Sequence, residues 1–328
     1  MSKQFKPPLA MLFVWTLLFI GSDYVHATTT VTTATTATEN TRLFLWQIEA
    51  AHEQAQPRKK NEPSYLLGSI HVMKDEMYPL DPAIEHAFQR SDQLAVEVDI
   101  TTTDPYQMRS LMMQYGSYDD GRTLDSELSV ETAQQLKEHL NKSNTPMAMF
   151  NTLRPWMVGL QLSMQAIIQF GYNPLSGIDK HFIDLANGDS KKKIVELESI
   201  EEQIALLAAD PADIQDLTLR MTLKDIANSE ALEEMITTWY QGDADKLYQL
   251  MTAHSEQHPE LKAQMTRLLD QRNIKMANKI DGWLKSGASY FIVIGAGHMG
   301  GESGLLKLLR SKGYHLTQLA ADSHAEQP

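Results

Sequence analysis

Two short stretches constrain this chain more than anything else in it. Gly68-Ser69-Ile70-His71 and Gly295-Ala296-Gly297-His298 stand 227 residues apart. Each directly follows a strand-like run, 64–67 in the first case and 290–294 in the second, and each leads into helical sequence. A glycine at a strand end lets the backbone turn sharply. The histidine then falls just beyond the strand's carboxyl end, where ligand sites gather in open α/β sheets. A lone histidine in such a turn is ordinarily a hydrogen-bonded turn residue. The same context at both ends of the chain points instead to one shared site, built by a sheet that is begun early and completed late.

The rest of the pattern agrees with such a sheet. Residues 43–48 form a strand-like run, 94–100 alternate with a period of two, and 193–198 give another short strand. The run 290–294 is continuously apolar, as expected of a strand buried on both faces. Residues 315–319 suit a sheet edge, and the polar stretch 51–62 suits a hairpin loop. Helices are expected over 82–88, behind Asp81 as N-cap with proline in the first turn, and over 129–140, 156–170, 177–186, 211–223, 232–239 and 244–251. The longest spans 259–285, where Leu261, Met265, Leu268, Leu269, Met276, Ile280 and Leu284 step by three or four. The predicted fold class is α/β, with a central mostly parallel or mixed sheet, two strand–Gly-x-x-His–helix units and a large helical middle section. No proline- or glycine-rich linker divides 42–321, so one domain is expected there, with a polar tail at 322–328.

The N-terminus carries Lys3 and Lys6, then an apolar run over 9–20, then Val25-His26-Ala27. These are the parts of a signal peptide over 1–27. Twelve helical residues span about 18 Å, short of a ~30 Å hydrocarbon core; an uncleaved anchor is the alternative. Residues 28–41 read as a flexible Thr/Ala-rich leader. An exported protein, periplasmic or secreted, without stable membrane insertion after cleavage, is therefore expected. The chain has no cysteine, which excludes disulfides, thiolate nucleophiles, Cys-based zinc sites, iron–sulfur clusters and a lipoprotein anchor. Its net charge of −13 repels phosphate and argues against nucleic-acid partners.

Several charged residues sit where the pattern makes them costly. Glu97 falls mid-strand between Val96 and Val98. Buried, it needs a cation, a metal or a donor network; on an edge strand it faces water. Glu196 and Glu198 pose the same question, with Glu198, at the strand's end, the better site candidate and Glu196 the more solvated. Arg272 interrupts the apolar stripe 265, 268, 272, 276 and 280, and its guanidinium wants a carboxylate, with Glu97 and Glu198 the natural partners; the alternative is snorkelling to the rim. Asp179, in the first turn of a helix, is at least as well explained as a dipole-compensating residue as by a site role. His181, two residues on, faces away from it. His254 and His258 read as surface residues, and His52, His86, His139 and His315 have no distinguishing context. The run Gly295 to Gly300 mimics a dinucleotide fingerprint, but too little chain follows it for a full βαβ unit. Two histidines with a carboxylate resemble a metal-binding set with open positions. Such a set suits hydrolysis, with a glutamate as general base.

At these residues the chain resembles the TraB/GumN family, related to the Tiki and pheromone-shutdown proteins. The resemblance rests on LLGSIHVMKDEMYPLDPAIEHAF at 66–88, the segment with Glu97, GIDKHF at 177–182, VELESIEEQ at 195–203, WYQGD at 239–243, RN at 272–273 and FIVIGAGHMGGESGLLKLLRSKGY at 291–314. It implies a fold like that of the haem-binding ChaN-like and erythromycin-esterase-like proteins. Tiki relatives are regarded as metal-dependent proteases using the two Gly-x-x-His histidines and a glutamate. Carried across, these are His71, His298 and Glu97, with a divalent metal (manganese, cobalt or zinc); Arg272 and Glu198 match other recurrent positions. Glu198 would be base or support, and Arg272 would orient a carboxylate or steady an oxyanion. The family's usual Gly-Leu-Glu is Glu196-Leu197-Glu198 here. The resemblance thus implies an exported metallopeptidase-like hydrolase acting on a peptide or small molecule. The alternative is a protein that binds a peptide, haem or another small ligand in the same cleft without turnover.

Overall fold

Strands β1 (Arg42–Ala50), β2 (Ser64–Ser69), β3 (Gln93–Val96), β4 (Lys193–Glu196), β5 (Tyr290–Gly295) and β6 (Tyr314–Ala320) form one sheet in the order β4-β3-β5-β2-β1-β6. The computed structural model describes residues 42–50 and 62–321. The expected signal segment, leader and tail, and the expected 51–62 loop apart from Glu62, lie outside the described residues. β4, β3, β5 and β2 run parallel, while β1 is antiparallel to both β2 and β6. The sheet is mixed, as predicted, and its late strand β5 inserts between the early strands β2 and β3. β2 and β5 are buried along their whole length, and the continuous apolar run of β5 reflects this.

The helices are α1 (Pro82–Arg90), α2 (Pro105–Gly116), α3 (Leu124–Glu127), α4 (Val130–Lys142), α5 (Pro155–Gln169), α6 (Ile178–Asn187), α7 (Ile200–Ala208), α8 (Ala212–Asp225), α9 (Glu230–Tyr240), α10 (Ala244–Gln257), α11 (Lys262–Met265), α12 (Gln271–Leu284) and α13 (Leu305–Ser311). α1 and α6 pack on the parallel half of the sheet. Phe88, Phe182 and Phe291 meet there, with ring centroids 4.7 to 5.6 Å apart. Leu136, Leu140, Phe150, Val158, Leu162 and Leu219 belong to a second apolar cluster within the helical middle section. Helices α2 and α7 fall outside the expected set. α2 has only Leu111, Met112 and Gly116 buried, too few to write a clear apolar stripe.

Two expectations need correction. The strand over 94–100 stops at Val96, so Glu97 is not mid-strand. The Glu97 carboxylate itself accepts the Gly295 N–H, at 2.7 Å, where the ladder to β5 ends after Val96↔Val293. The long helix over 259–285 is not uniform either. A tight turn at Pro259–Leu261 leads into α11, then a π-helical stretch Thr266–Asp270, then α12. A π segment widens the helix and shifts its phase. Arg272 and Asn273, adjacent in sequence, are both buried directly after it.

Candidate functional site

The parallel register puts the two Gly-x-x-His turns at the same edge of the sheet. Gly68 lies opposite Ile294, and Ser69 opposite Gly295. β3 flanks β5 on its other side, so Glu97 emerges at that edge too, and Glu198 follows the end of neighbouring β4. Five candidates chosen from the sequence therefore share one region. Arg272 joins two of them directly. Its Nε donates to Glu198 Oε1 at 2.9 Å, and its Nη2 donates to Glu198 Oε2 at 2.7 Å and to Glu97 Oε2 at 2.6 Å. Nη1 donates to Leu268 O at 3.1 Å, so the π-helical stretch holds the guanidinium. Gln203, in the second turn of α7, donates to both carboxylates, at 3.0 and 3.2 Å.

This network is dry, with Arg272 only 3% exposed. Burial pushes the Glu97 carboxyl above the usual range. Arg272 pulls it back, the charge of Glu198 adds to the rise, and His71 and the Gly295 N–H lower it, with the net shift upward. For Arg272, burial works against the charge, but the two glutamates outweigh it and keep the guanidinium cationic. One cation between two buried carboxylates is held by geometry and hydrogen bonds as much as by charge.

The two histidines are fixed through their Nδ1 atoms. His298 Nδ1 meets Asn273 Oδ1 at 2.6 Å, while Asn273 Nδ2 donates to Ser303 O at 2.9 Å. The second bond turns the amide oxygen toward the ring, so Nδ1 carries the hydrogen and Nε2 keeps its lone pair. Nε2 has no hydrogen-bond partner among the described residues and lies 4.0 Å from Glu97 Oε1. Burial, then the nearby Arg272 and His71 charges, depress the His298 pKa well below the histidine range. This ring is 2% exposed and neutral. His71 Nδ1 is 2.6 Å from Asp179 Oδ2, and Asp179 Oδ1 accepts Ser69 Oγ–H at 2.8 Å. Burial would raise Asp179, but His71 and the Ser69 hydroxyl outweigh it and hold its carboxyl below the usual range. Gly177 makes this approach possible: a Cβ there would strike the His71 carbonyl, and Ile178 N–H donates to Ile70 O at 2.9 Å.

Asp179 is thus more than a helix-end charge, though it does lie in the first turn of α6. Sequence reading passed over this pairing, and over Ser69, Gln203 and the role of Asn273. The glycine before Asp179 and the polar dipeptide on an apolar stripe were the available signals. Glu196 is exposed, as expected, and accepts Asp99 N–H at 2.6 Å, so the departure from Gly-Leu-Glu adds a contact at that strand end. His181 turns from Asp179 to Glu85, at 2.8 Å. His254 corrects a surface assignment: it is buried, with Nε2 3.3 Å from Asp225 Oδ1. Among the described residues, no three His, Asp or Glu side chains stand close enough to form a ready-made metal cage, and no helix is long and apolar enough to cross a membrane.

The chain is similar to known proteins. The chain is 25% identical over 260 residues to the uncharacterized protein YbaP of Escherichia coli (strain K12), covering 76% of this chain and 89% of that one, and equally so to YbaP of Shigella flexneri. It is 23% identical over 332 residues to metalloprotease TIKI2 of Xenopus tropicalis, covering 86% of this chain and 61% of that protein. The chain thus matches about three-fifths of the length of that larger relative. No solved structure matches it. The family model described as TraB/PrgY/gumN matches residues 44–318, from β1 to β6 and through both histidine turns, and on that match the chain belongs to the TraB/PrgY/gumN family.

Proposed function

We propose that the protein is an exported, metal-dependent hydrolase that cleaves peptides. One observation carries this reading: a buried, neutral imidazole, His298, whose Nε2 lone pair has no partner among the described residues and stands 4.0 Å from Glu97. The donor chemistry fits a divalent metal such as manganese, cobalt or zinc. Metal-ligating histidines commonly give their other ring nitrogen to a carboxylate or carbonyl oxygen, as His71 gives Nδ1 to Asp179 and His298 to Asn273. His71 and His298 would hold the metal, and Glu97 adjoins it without completing a ready-made cage among the described residues. When bound, it supplies Lewis-acid polarisation of the scissile carbonyl.

The chain's own residues do the rest. Glu97, whose carboxyl burial raises, stands 4.0 Å from His298 Nε2, where a carboxylate would take a proton from water. Arg272 spends its hydrogen bonds on Glu97, Glu198 and Leu268 O, so we read it as the residue that orients Glu97 rather than as an oxyanion donor. Glu198, held by Arg272 and Gln203, steadies that guanidinium. Asp179 and Asn273 fix the two ring tautomers. The family relation to metalloprotease TIKI2 supports the reaction class.

The test is cleavage of a peptide library by the purified chain with manganese or cobalt. Turnover that His71→Ala abolishes is expected. Peptide binding without turnover in any metal would favour the sequestering alternative.

A further inference from the structure

Three tyrosines from three chain segments gather beside the Gly68–His71 turn. Tyr78 follows His71 in the same loop, with Lys74 between them. Tyr172 precedes a segment tied to that loop by paired backbone hydrogen bonds between Met73 and Asn173, at 3.3 and 2.8 Å. Tyr240 ends α9, its ring edge-on to Trp239 at 5.1 Å, and Trp239 Nε1 donates to Gly68 O at 2.7 Å. Tyr240 is close enough to both other rings to bear on their ionisation.

Burial pushes the Tyr172 and Tyr240 hydroxyls up to about 12, so both remain protonated donors. Tyr78 donates to Ser176 O at 2.9 Å. Tyr172 and Tyr240 have no hydrogen-bond partner among the described residues. For Tyr172 this is unusual, because it is only 5% exposed and a buried tyrosine hydroxyl ordinarily finds one. The hydroxyl is not among the sealed unpartnered polar atoms of the described residues. Tyr240 is 45% exposed, so its ring is open to a ligand.

The Tyr172 ring already meets a cation. Lys74 Nζ stands 4.9 Å from the centroid of the Tyr172 ring, a cation–π distance. The carboxylates of Glu76 and Glu233 also bear on Tyr172; Glu76 is exposed and forms no ion pair among the described residues. Ring faces, hydroxyl donors and negative charge together select a positively charged group. The geometry points to a subsite for a basic side chain, arginine or lysine, of the peptide substrate, seated on Tyr172 and Tyr240 and balanced by Glu76 and Glu233, with Lys74 holding the position until substrate displaces it. This subsite rests on the peptide-hydrolase reading above.

The experiment measures binding of fluorescein-labelled decapeptides, identical except for one Arg, Gln or Glu, to the full chain without added metal. The Arg peptide is expected to bind about tenfold more tightly than the Glu peptide. Tyr240→Ala shrinks that preference to about twofold, and Tyr172→Phe, which keeps the ring, retains most of it. Lys74→Ala enlarges the preference, because it removes the competing cation. Equal binding of the three peptides overturns the subsite, as does a Lys74→Ala chain that loses the preference. Turnover is scored separately with manganese: an Arg preference without cleavage leaves the subsite standing and counts against the hydrolase.

Discussion

The two Gly-x-x-His turns share a sequence pattern and a sheet edge, yet they are built for opposite electrostatics. On the β2 side, His71 has a side chain 11% exposed and a carboxylate, Asp179, on its Nδ1. On the β5 side, His298 is sealed, its Nδ1 partner is a neutral amide, and Arg272 lies nearby. A carboxylate partner favours a proton on the ring, whereas an amide with a cation nearby keeps the ring neutral. One motif thus yields two histidines with unlike Nδ1 partners, of which His298 is held uncharged. The difference lies in partners supplied from elsewhere in the chain, Asp179 from α6 and Asn273 from α12.

The largest expected effect breaks the β5 side. Arg272→Met leaves Glu97 and Glu198 buried without their cation, and should cost about 3–5 kcal/mol in urea-unfolding stability. Asp179→Asn on the β2 side keeps shape and part of the hydrogen bonding, so about 1.5–3 kcal/mol is expected. A larger loss from Asp179→Asn than from Arg272→Met would invert the comparison. Gly177→Ala drives a methyl into the His71 carbonyl, and overpacking of this kind costs about 1–3 kcal/mol. Ala at Gly282, where a Cβ meets nothing within 4 Å, is the control, and a thermal melt compares the two.

The pH dependence separates the sides further. His298 has a folded pKa below its ordinary 6.5. The unfolded chain therefore gains a proton there that the folded chain refuses, and the stabilising contribution is complete above 6.5 and lost as pH falls. Asp179 is also lowered, from 3.8, so its contribution is present above 3.8 and lost only as pH falls through its folded value. Glu97, raised from 4.5, acts in the other direction and loses stability as pH rises above 4.5. Below 6.5, His298 should contribute a slope of about 1.4 kcal/mol per pH unit. Denaturant midpoints of wild type and His298→Gln, measured between pH 7 and 5, should diverge at the high end and converge toward acid. Parallel curves would mean that His298 titrates normally.

Much of this was readable from the sequence because strands buried on both faces and glycines at their ends leave plain marks. β2 read as a short strand and β5 as an apolar run, and their Gly-x-x-His endings pointed to one edge. Arg272 was readable as a charge on an apolar stripe, and its partners followed from the need to neutralise it. What stayed hidden depends on long-range placement. Asp179 had a sufficient local role in the first turn of α6, so nothing local revealed its bond to His71. The π-helical stretch at Thr266–Asp270 has no periodic signature, yet it precedes the turn on which both Arg272 and Asn273 are buried. Glu97 looked like a strand residue because residues 94–100 alternate, whereas its carboxylate accepts Gly295 N–H at the end of the β3–β5 ladder. His254 was hidden by its polar neighbours, although its α10 neighbours Met251, Thr252 and Ser255 are buried as well.

The central claim is that the two rings, unlike in their Nδ1 partners, hold one divalent ion. Its most direct test is metal content after exposure to manganese, cobalt or zinc and gel filtration, in wild type and in a chain carrying both His71→Ala and His298→Ala. The account predicts close to one ion per wild-type chain and almost none in the double variant, with circular dichroism showing both folded. Equal occupancy in the two would contradict it.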